Sequence, residues 1–417
     1  MLALKGISVR RIMAKTIKYL LVLWWCSACS QPLPTPVAAT VETILPEVSK
    51  PIQLGAERTE VYLPLLEGKS VGIIANQTSA INGIHLVDTL VSLGINVQRV
   101  FAPEHGFRGN ASAGEKVKDS KDAKTGLPIV SLYGNNYKPS TENLKSLDFV
   151  IFDIQDVGAR FYTYISTMSY AMEACAELGI SFIVLDRPNP NGNYVDGPVL
   201  KKEFSSFVGL HQVPIVHGMT VGEYARMVNG EGWLKDGIKC DLTVIEMENY
   251  NRSDVYELPI APSPNLPNQK AIYLYPSLCF FEGTEVSEGR GTDKPFQQFG
   301  YPKMPNSNTS FTPKSIEGVA KYPKLENKKC KGIDLSELSV DSLKRLEKIN
   351  LNWLIETYQN YPNKEKFFKA QFFDKLAGSS NLRKQIIAGK SAEEIRESWN
   401  EELSGFVAIR GNYLIYP

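Results

Sequence analysis

The stretch LDFVIFDIQDVGARFYTYISTMSYAMEACAELGISFIVLDRP, residues 147–188, decides the fold class. Two apolar runs, LDFVIF and SFIVL, flank a long amphipathic segment, TYISTMSYAMEACAELG. Short apolar runs on either side of a helical pattern predict a strand, a helix and a second strand. Because parallel neighbours need a crossover connection of this kind, the stretch predicts an α/β fold with a parallel sheet.

The alternation of strands and helices continues on both sides, from Lys69 to about Tyr250. Further strands are predicted at SVGIIAN, NVQRVFAPEHG, LPIVSLYG and CDLTVIEM, and further helices at HLVDTLVSLG and MTVGEYARMVNGEG. After Tyr250, prolines and aromatics crowd the chain before two helical patterns, SVDSLKRLEKINLNWLIETYQNY and SAEEIRESWNEELSGF. We therefore expect a Rossmann-like domain over residues 52–250 and a smaller α+β domain over 251–417 that closes the cleft.

The first residues have the pattern of an export signal. Five basic residues and no acidic one precede a short apolar run at 19–25, which leads into small residues and Cys29. This pattern predicts a lipoprotein signal at 1–28, lipidation of Cys29 and a Pro-rich tether at 29–51. An ordinary secretory signal is the alternative. The expected location is the cell envelope, with the membrane reached through the lipid anchor only.

Composition excludes several function classes. Without residues 1–28 the chain has 41 basic against 45 acidic residues, so nothing favours binding of nucleic acid. The four histidines are dispersed, and the four cysteines beyond residue 29 match no zinc spacing. Glycine-rich nucleotide-binding motifs are absent from the sequence. We expect no metal ion and no cofactor, and the sequence leaves the oligomeric state open.

Three polar clusters follow predicted strands: FAPEHGFRG at 101–109, FDIQDVGARFYTY at 152–164 and LDRPNPNG at 185–192. The carboxyl ends of parallel strands meet at one edge of a sheet, so the clusters predict one shared site. Carboxylates dominate them, and carboxylates carry out proton transfer, sugar chemistry or cation binding. The site is expected to be that of an enzyme.

Glu104 is the candidate general acid of the first cluster. Phe101 and Phe107 can disfavour its charged form, which is what a glutamate needs to donate a proton near neutral pH. Arg108 can orient this carboxyl group or hold an anionic substrate. The structural alternative is that Glu104 forms an ion pair with Arg108 that merely caps a loop.

The second cluster offers two acids and a set of recognition residues. Asp153 and Asp156 straddle the end of a predicted strand, so only one of them is expected to face the cleft. Arg160 presents a planar fork suited to carboxylates, while Tyr162 and Tyr164 present flat apolar faces with polar tips. These residue types suit a sugar that carries a carboxylate. A structural Asp–Arg pair is the alternative.

The remaining candidates are divided between a turn and a later loop. Asp186 and Asn189 belong to the proline-stiffened LDRPNPNG turn, where such residues also serve local backbone hydrogen bonds. In the second half, FEGTEVSEGRGT combines Glu282, Ser287 and Arg290 with three glycines, a pattern typical of a loop that wraps closely around a ligand.

Seven collinear motifs resemble the exo-β-N-acetylmuramidase family of glycoside hydrolases. They are FAPEHGFRG, TGLPIVSLYG, FDIQDVGARFYTYISTM, LDRPNPNG with VDGPVL, HGMTVGE, PSPNLP and FEGTEVSEGRGT. The resemblance runs from about Gly72 to the closing YLIYP. It implies a Rossmann-like domain joined to a C-terminal domain, with the active site in the cleft between them. It also implies release of terminal N-acetylmuramic acid from the non-reducing end of peptidoglycan fragments, and an essential glutamate in APEHG, which is Glu104.

Glycoside hydrolysis usually needs a second carboxylate, and the sequence leaves Glu282, Asp153, Asp156 and the substrate's own acetamido group open. The residues expected to contact substrate are His105, Arg108, Arg160, Tyr162, Tyr164, Asp186, Asn189, Asn265, Ser287 and Arg290. A lipoprotein that binds muropeptides without catalysis is the main alternative function. A different hydrolase on the same scaffold, acting on the lactyl ether or a peptide stem, is the other.

Overall fold

A seven-stranded sheet dominates the computed structural model, which describes residues 50–108, 119–134 and 136–417. The strands of the described residues are β1 (Ser70–Ala75), β2 (Ala80–Ile81), β3 (Ile84–His85), β4 (Asn96–Ala102), β5 (Ser120–Lys121), β6 (Pro128–Ser131), β7 (Phe149–Asp153), β8 (Ser181–Leu185), β9 (Leu242–Ile245), β10 (Gln298–Tyr301), β11 (Thr309–Phe311) and β12 (Cys330–Asp334). In the main sheet the order is β5-β6-β4-β1-β7-β8-β9, and each neighbouring pair except β5–β6 is parallel. The predicted parallel sheet is confirmed.

The α-helices of the described residues are α1 (Thr59–Leu66), α2 (Leu86–Ser92), α3 (Thr141–Leu144), α4 (Tyr164–Leu178), α5 (Val221–Gly230), α6 (Gln269–Leu278), α7 (Val340–Lys344), α8 (Asn352–Asn360), α9 (Ala370–Ala377), α10 (Asn381–Ile387), α11 (Ala392–Glu397) and α12 (Asn400–Gly411). Local chemistry sets several ends. Thr220 and Glu223 form a capping box at the start of α5, and Gly179 ends α4 in the left-handed conformation at φ 68°.

Apolar side chains alternate across the sheet, so the sheet has a core on each face. On β7, Ile151 packs with helices α1 and α2, while Val150 and Phe152 pack on the other side with α4 and α5. The second core continues without interruption into the C-terminal half, through residues such as Phe280 and Phe299. Residues from 50 onward therefore belong to one compact unit, in which the two halves share a core.

The C-terminal half is α+β, as predicted. A three-stranded antiparallel sheet in the order β10-β12-β11 is surrounded by short helices. The capping box predicted at Ser391 and Glu394 starts α11. The domain limit near residue 250 stays a prediction.

Two features of this half differ from the sequence expectation. Helix α6 lies inside the stretch expected to lack regular structure, and it begins where the Asn268 side chain accepts from the Ala271 backbone N–H. The pattern read as one helix over 339–361 is split into α7 and α8. Tertiary bonds hold the break, because the Ile349 N–H donates to Asp196 and its carbonyl accepts from Arg396.

The predicted signal at 1–28, Cys29 and the tether up to residue 49 lie outside the described residues. Within the described ranges, no helix combines the length and apolarity that a membrane crossing requires.

Candidate active site

Glu104 lies two residues beyond the end of β4, in a tight turn. The Gly106 N–H donates to the Pro103 carbonyl at 3.0 Å, and His105 adopts the left-handed conformation at φ 69°. A residue other than glycine in that conformation costs free energy unless its surroundings hold it there, and such residues cluster at functional sites. Here the His105 ring is buried, with Nε2 3.2 Å from Ser263 Oγ. The turn therefore fixes the backbone that presents Glu104.

The Glu104 carboxylate is held by hydroxyl groups from two other elements. Thr163, immediately before α4, donates its hydroxyl to Glu104 Oε2 at 2.9 Å. Tyr133, just after β6, also hydrogen-bonds to Glu104; burial, together with the charge of this carboxylate, raises the pKa of the Tyr133 phenol. Both groups donate to the charged form of Glu104, so they orient it toward a fixed position.

A small cavity of about 40 Å³ adjoins Glu104. Its lining comes from both halves of the chain: Glu104, His105, Phe161, Tyr162, Thr163, Ser263, Asn265, Leu266, Tyr275, Arg290 and Phe296. The structure thus brings together five of the predicted residues, one of them the proposed acid. A sugar ring is larger than this cavity, so binding requires the ring to lie at the mouth or the lining side chains to move apart.

Arg290 is the cation of this cavity. Its guanidinium lies 5.1 Å from the centre of the Phe296 ring and forms an ion pair with Glu282. Glu288 is 3.6 Å from Arg290 Nε and 2.7 Å from Lys324 Nζ, so two acids and two bases form one cluster. Burial raises the pKa of the Glu282 carboxyl above its ordinary value. Glu282 therefore reaches the cavity wall through Arg290.

Asn265 supplies an amide at the same wall. Its Nδ2 donates to the Val319 carbonyl at 2.8 Å, while its buried Oδ1 has no partner among the described residues. Tyr162 lines the cavity with its ring and donates its hydroxyl to the Pro262 carbonyl at 2.8 Å. The Tyr164 hydroxyl lies 3.3 Å from that carbonyl, so its role is to support the PSPNLP backbone.

Asp153 does not line this cavity. Its carboxylate is fully buried and receives two bonds from the Arg187 guanidinium, at 2.5 and 2.9 Å. This arrangement is the structural Asp–Arg pair named above as the alternative, although the arginine is Arg187 and not Arg160. The expectation that Asp153 is a catalytic group is not supported.

Asp156 is also buried away from the cavity lining. Its Oδ2 accepts from the Gly158 N–H at 2.7 Å, and its Oδ1 has no partner among the described residues. Burial raises the pKa of the Asp156 carboxyl to about 7. His217 Nε2 lies 4.0 Å away, and burial lowers the pKa of that imidazole to about 3. Near pH 7 the His217 ring is therefore neutral and the Asp156 carboxyl is about half protonated, and neither group lines the cavity beside Glu104.

Two arginines that were expected to contact substrate, Arg108 and Arg160, do not line the cavity. Arg108 binds Asp122 with two bonds at 2.9 and 2.8 Å and contacts Asp88 at 3.2 Å. Arg160 is fully buried and donates to backbone carbonyls, including that of Leu376, while burial lowers its pKa to about 9. Arg108 and Arg160 thus have partners within the fold, and their expected substrate contacts stay predictions that this geometry does not favour.

Three further candidates hold the fold together. Asp186 is fully buried and accepts from Thr220, Gly222 and Tyr416. A Cβ at Gly158 would lie 2.1 Å from Asn189 Oδ1, so that amide packs against a backbone that only glycine permits.

The third of these candidates, Ser287, accepts the Gly289 N–H within its own loop and is buried. Asp186, Asn189 and Ser287 do not line the cavity beside Glu104.

The sequence analysis missed seven residues that the structure places beside Glu104 or in the cavity wall: Tyr133, Phe161, Thr163, Ser263, Leu266, Tyr275 and Phe296. All seven belong to stretches already quoted as motifs or to the Pro- and aromatic-rich segment after Tyr250, but nothing in a single sequence distinguishes a site tyrosine from a core tyrosine. In the described ranges, no group of three His, Cys, Asp or Glu side chains is arranged to hold a metal ion. The chemistry available at this site is that of an oriented carboxyl group beside a cation, an amide and aromatic walls.

Comparison with known proteins gives one consistent family. The N-terminal model of the exo-β-N-acetylmuramidase NamZ family matches residues 71–270, and its C-terminal model matches 273–416. The peptidoglycan β-N-acetylmuramidase NamZ of Bacillus subtilis is 41% identical over 372 residues, which cover 85% of this chain and 89% of that protein. It is a relative over nearly the whole length of both proteins.

Two crystal structures of DUF1343 family proteins from Bacteroides fragilis have the same fold. One is 49% identical with a TM-score of 0.82, covering 88% of this chain and 99% of the other. The second is 30% identical with a TM-score of 0.73, covering 89% and 100%. Because the two family models together match most of its length, the chain belongs to the exo-β-N-acetylmuramidase family.

Proposed function

We propose that this protein is an exo-acting β-N-acetylmuramidase, a glycoside hydrolase that releases terminal N-acetylmuramic acid from the non-reducing end of peptidoglycan fragments. One observation carries the proposal: in a chain of this family, the APEHG glutamate is held by two hydroxyl groups at the edge of a cavity that also contains an arginine and an unpartnered amide oxygen.

Glu104 is the proposed general acid, which protonates the glycosidic oxygen as the bond to the anomeric carbon breaks. Thr163 and Tyr133 position it by donating to its charged form. To act as an acid, the carboxyl group must carry a proton when substrate enters. The two hydroxyl groups then stabilise the carboxylate that the proton transfer leaves behind.

Glu282 is the proposed second carboxylate. Asp153 is occupied by Arg187, and Asp156 is buried away from the cavity, whereas Glu282 is held against the cavity wall by Arg290. A carboxylate in that position can stabilise positive charge at the anomeric carbon or attack it. The acetamido group of the substrate is the other route, and Asn265 is the residue that would orient it.

Arg290 is the proposed partner of the lactyl carboxylate that distinguishes muramic acid from glucosamine. A guanidinium can bind one carboxylate on each side of its fork, so Glu282 and a substrate carboxylate can share it. The apolar walls formed by Tyr275 and Phe296 close the cavity behind it, and a closed end is what an exo-acting enzyme needs.

The cellular setting is proposed from the sequence alone. Export through residues 1–28, lipidation of Cys29 and a tether at 29–51 would hold the enzyme at the cell envelope, where it would act in cell-wall turnover and recycling. Labelling with a radioactive fatty acid tests this part. Label should enter the full chain and not its Cys29→Ser variant; equal labelling of both would contradict lipidation at Cys29.

The alternative of a muropeptide-binding lipoprotein without activity is not supported, since the relative that matches over most of both chains is named for muramidase activity. Hydrolysis tests the choice directly. Protein beginning after residue 29 is incubated with a chromogenic β-N-acetylmuramic acid glycoside and with the matching N-acetylglucosamine glycoside. Release from the muramic substrate alone is expected. No release from either substrate, with muropeptide binding retained, would overturn the enzyme assignment.

A further inference from the structure

A row of four aromatic side chains leads away from Glu104, and we call it the aromatic strip: Tyr133, Tyr137, Phe207 and Tyr170. Phe207 stacks on Tyr137 with ring centres 4.0 Å apart, and it lies 5.9 Å from Tyr133 and 6.5 Å from Tyr170. Each of the four is half-buried. A contiguous row of aromatic side chains that is partly open to solvent is the kind of surface that marks a ligand-binding groove.

The strip ends at a second cavity, which has a volume of about 560 Å³ and includes Tyr170 in its wall. The wall also contains Lys202 and His211, from the segment between β8 and α5, and Trp233 and Lys235, from the loop after α5. A volume of this size is typical of a site for a ligand of several hundred daltons. None of the residues that surround Glu104 lines this cavity.

The cavity combines an aromatic floor with cations. His211 stacks on Trp233 at 5.4 Å between ring centres, and burial lowers the pKa of His211 to about 4, so its ring is neutral near pH 7.

The acid Glu173 in the wall is neutralised by Lys138 at 2.7 Å. Lys202 and Lys235 are exposed, and neither forms an ion pair with a residue that the structure describes. Asp236 is the one other acid in the wall. The cavity therefore suits a ligand with more carboxylates than amines.

We infer that the aromatic strip and this cavity bind the leaving part of the substrate, with the saccharides beyond the cleaved bond on the strip and a carboxylate-bearing stem peptide in the cavity. The inference rests on the proposed function. Tyr133 contacts Glu104 but does not line the small cavity that would hold the terminal sugar. In the proposed reaction Glu104 protonates the oxygen of the leaving saccharide. A strip that starts at Glu104 and runs away from the small cavity therefore lies on the side of the leaving saccharide.

The two parts of the site have different tasks. Half-exposed aromatic rings bind the apolar faces of sugar rings, so the strip favours a chain over a single sugar. The cavity is far larger than a lactyl group needs, which is why the occupant is the peptide attached to that group and not the lactyl carboxylate alone. The enzyme would then prefer chains whose second muramic acid still carries its peptide.

Binding to the Glu104→Gln protein, measured by calorimetry, tests the inference without any need for turnover. The ligands are a trisaccharide of muramic acid, glucosamine and muramic acid (all three amines acetylated), and the same trisaccharide carrying a peptide of alanine, glutamate and diaminopimelate on its second muramic acid. The peptide-bearing ligand should bind more tightly. Added Lys202→Glu and Lys235→Glu changes should raise its Kd roughly tenfold or more and leave the Kd of the bare trisaccharide within about twofold.

The matched control carries the same charge change at Lys303 and Lys329, which are exposed and do not line the cavity. It should leave both Kd values unaltered. Phe207→Ala should weaken binding of both trisaccharides. Equal binding of the two ligands to the unmodified cavity, or equal effects of the two pairs of lysine changes, would overturn the inference. A failure to cleave the chromogenic glycoside would instead count against the proposed function, since binding is measured separately.

Discussion

Replacing Arg187 by methionine should destabilise the fold, because it leaves the Asp153 carboxylate charged and buried without a partner. The pair is inaccessible to solvent: the Asp153 side chain is 0% exposed and the Arg187 side chain 4%. Both carboxylate oxygens receive guanidinium hydrogen bonds, at 2.5 and 2.9 Å. Asp153→Leu should have a similar effect, since it leaves the Arg187 guanidinium charged and buried without its carboxylate partner.

The expected loss for either single change is about 3–5 kcal/mol, the range for breaking a buried ion pair. An unfolding entropy of about 2.1 cal/mol/K per residue over roughly 370 residues gives a fall in Tm of about 1.3 °C for each kcal/mol. Each variant should therefore melt about 4–7 °C lower than the unaltered protein. Calorimetry or circular dichroism on protein beginning after residue 29 measures the shift.

The double change Asp153→Leu with Arg187→Met completes the cycle. Because it removes both charges and places apolar groups in their space, it should recover most of the lost stability and retain muramidase activity. If the losses add and activity is abolished in the double variant, the ion pair is not merely structural. Asp153 would then act in the reaction itself, and Glu282 would lose its place as the second carboxylate.

Two other predictions concern groups near Glu104 and in the core. Thr163→Val removes the hydroxyl that Glu104 accepts at 2.9 Å, so kcat should fall by roughly tenfold or more; Thr167→Val, one helical turn later, is the matched control and should leave kcat unaltered. Asp156→Asn tests the raised pKa of that carboxyl, about 7 in the folded protein. The folded state keeps a proton that the unfolded chain loses near pH 4, so this carboxyl lowers stability as pH rises from about 4 to about 7. The free energy of unfolding of Asp156→Asn, relative to that of the unaltered protein, should therefore rise by up to about 4 kcal/mol as pH increases across that interval, and no further above it. A difference in urea unfolding that does not change with pH would contradict this.

The sheet and the position of Glu104 could be predicted because both depend on local pattern. Apolar runs such as SFIVL form strands wherever helices cover them, and APEHG follows one of these runs directly. The partners of the other polar residues could not be predicted, since they are distant in the chain. Arg160 donates to the Leu376 carbonyl, 216 residues away, and Asp186 accepts from Tyr416, 230 residues away.

The same limit applies to the residues that hold Glu104. Thr163 precedes a helix, which is a common place for threonine, and its sequence surroundings do not show that its hydroxyl reaches a carboxylate 59 residues earlier. The break between α7 and α8 contains no glycine or proline, so the pattern predicts a continuous helix. The Ile349 N–H donates to Asp196 and the Ile349 carbonyl accepts from Arg396, and these two bonds hold the chain out of that helix.

The role of Glu104 as general acid is the central claim, and leaving-group dependence tests it most directly. Rates of the unaltered protein and Glu104→Gln are compared on two β-N-acetylmuramic acid substrates. One releases dinitrophenolate, which needs no proton, and the other releases N-acetylglucosamine, which does. The account predicts a loss of about 10²–10⁴-fold on the disaccharide and a much smaller loss on the dinitrophenyl glycoside. An equal loss on both substrates would contradict it.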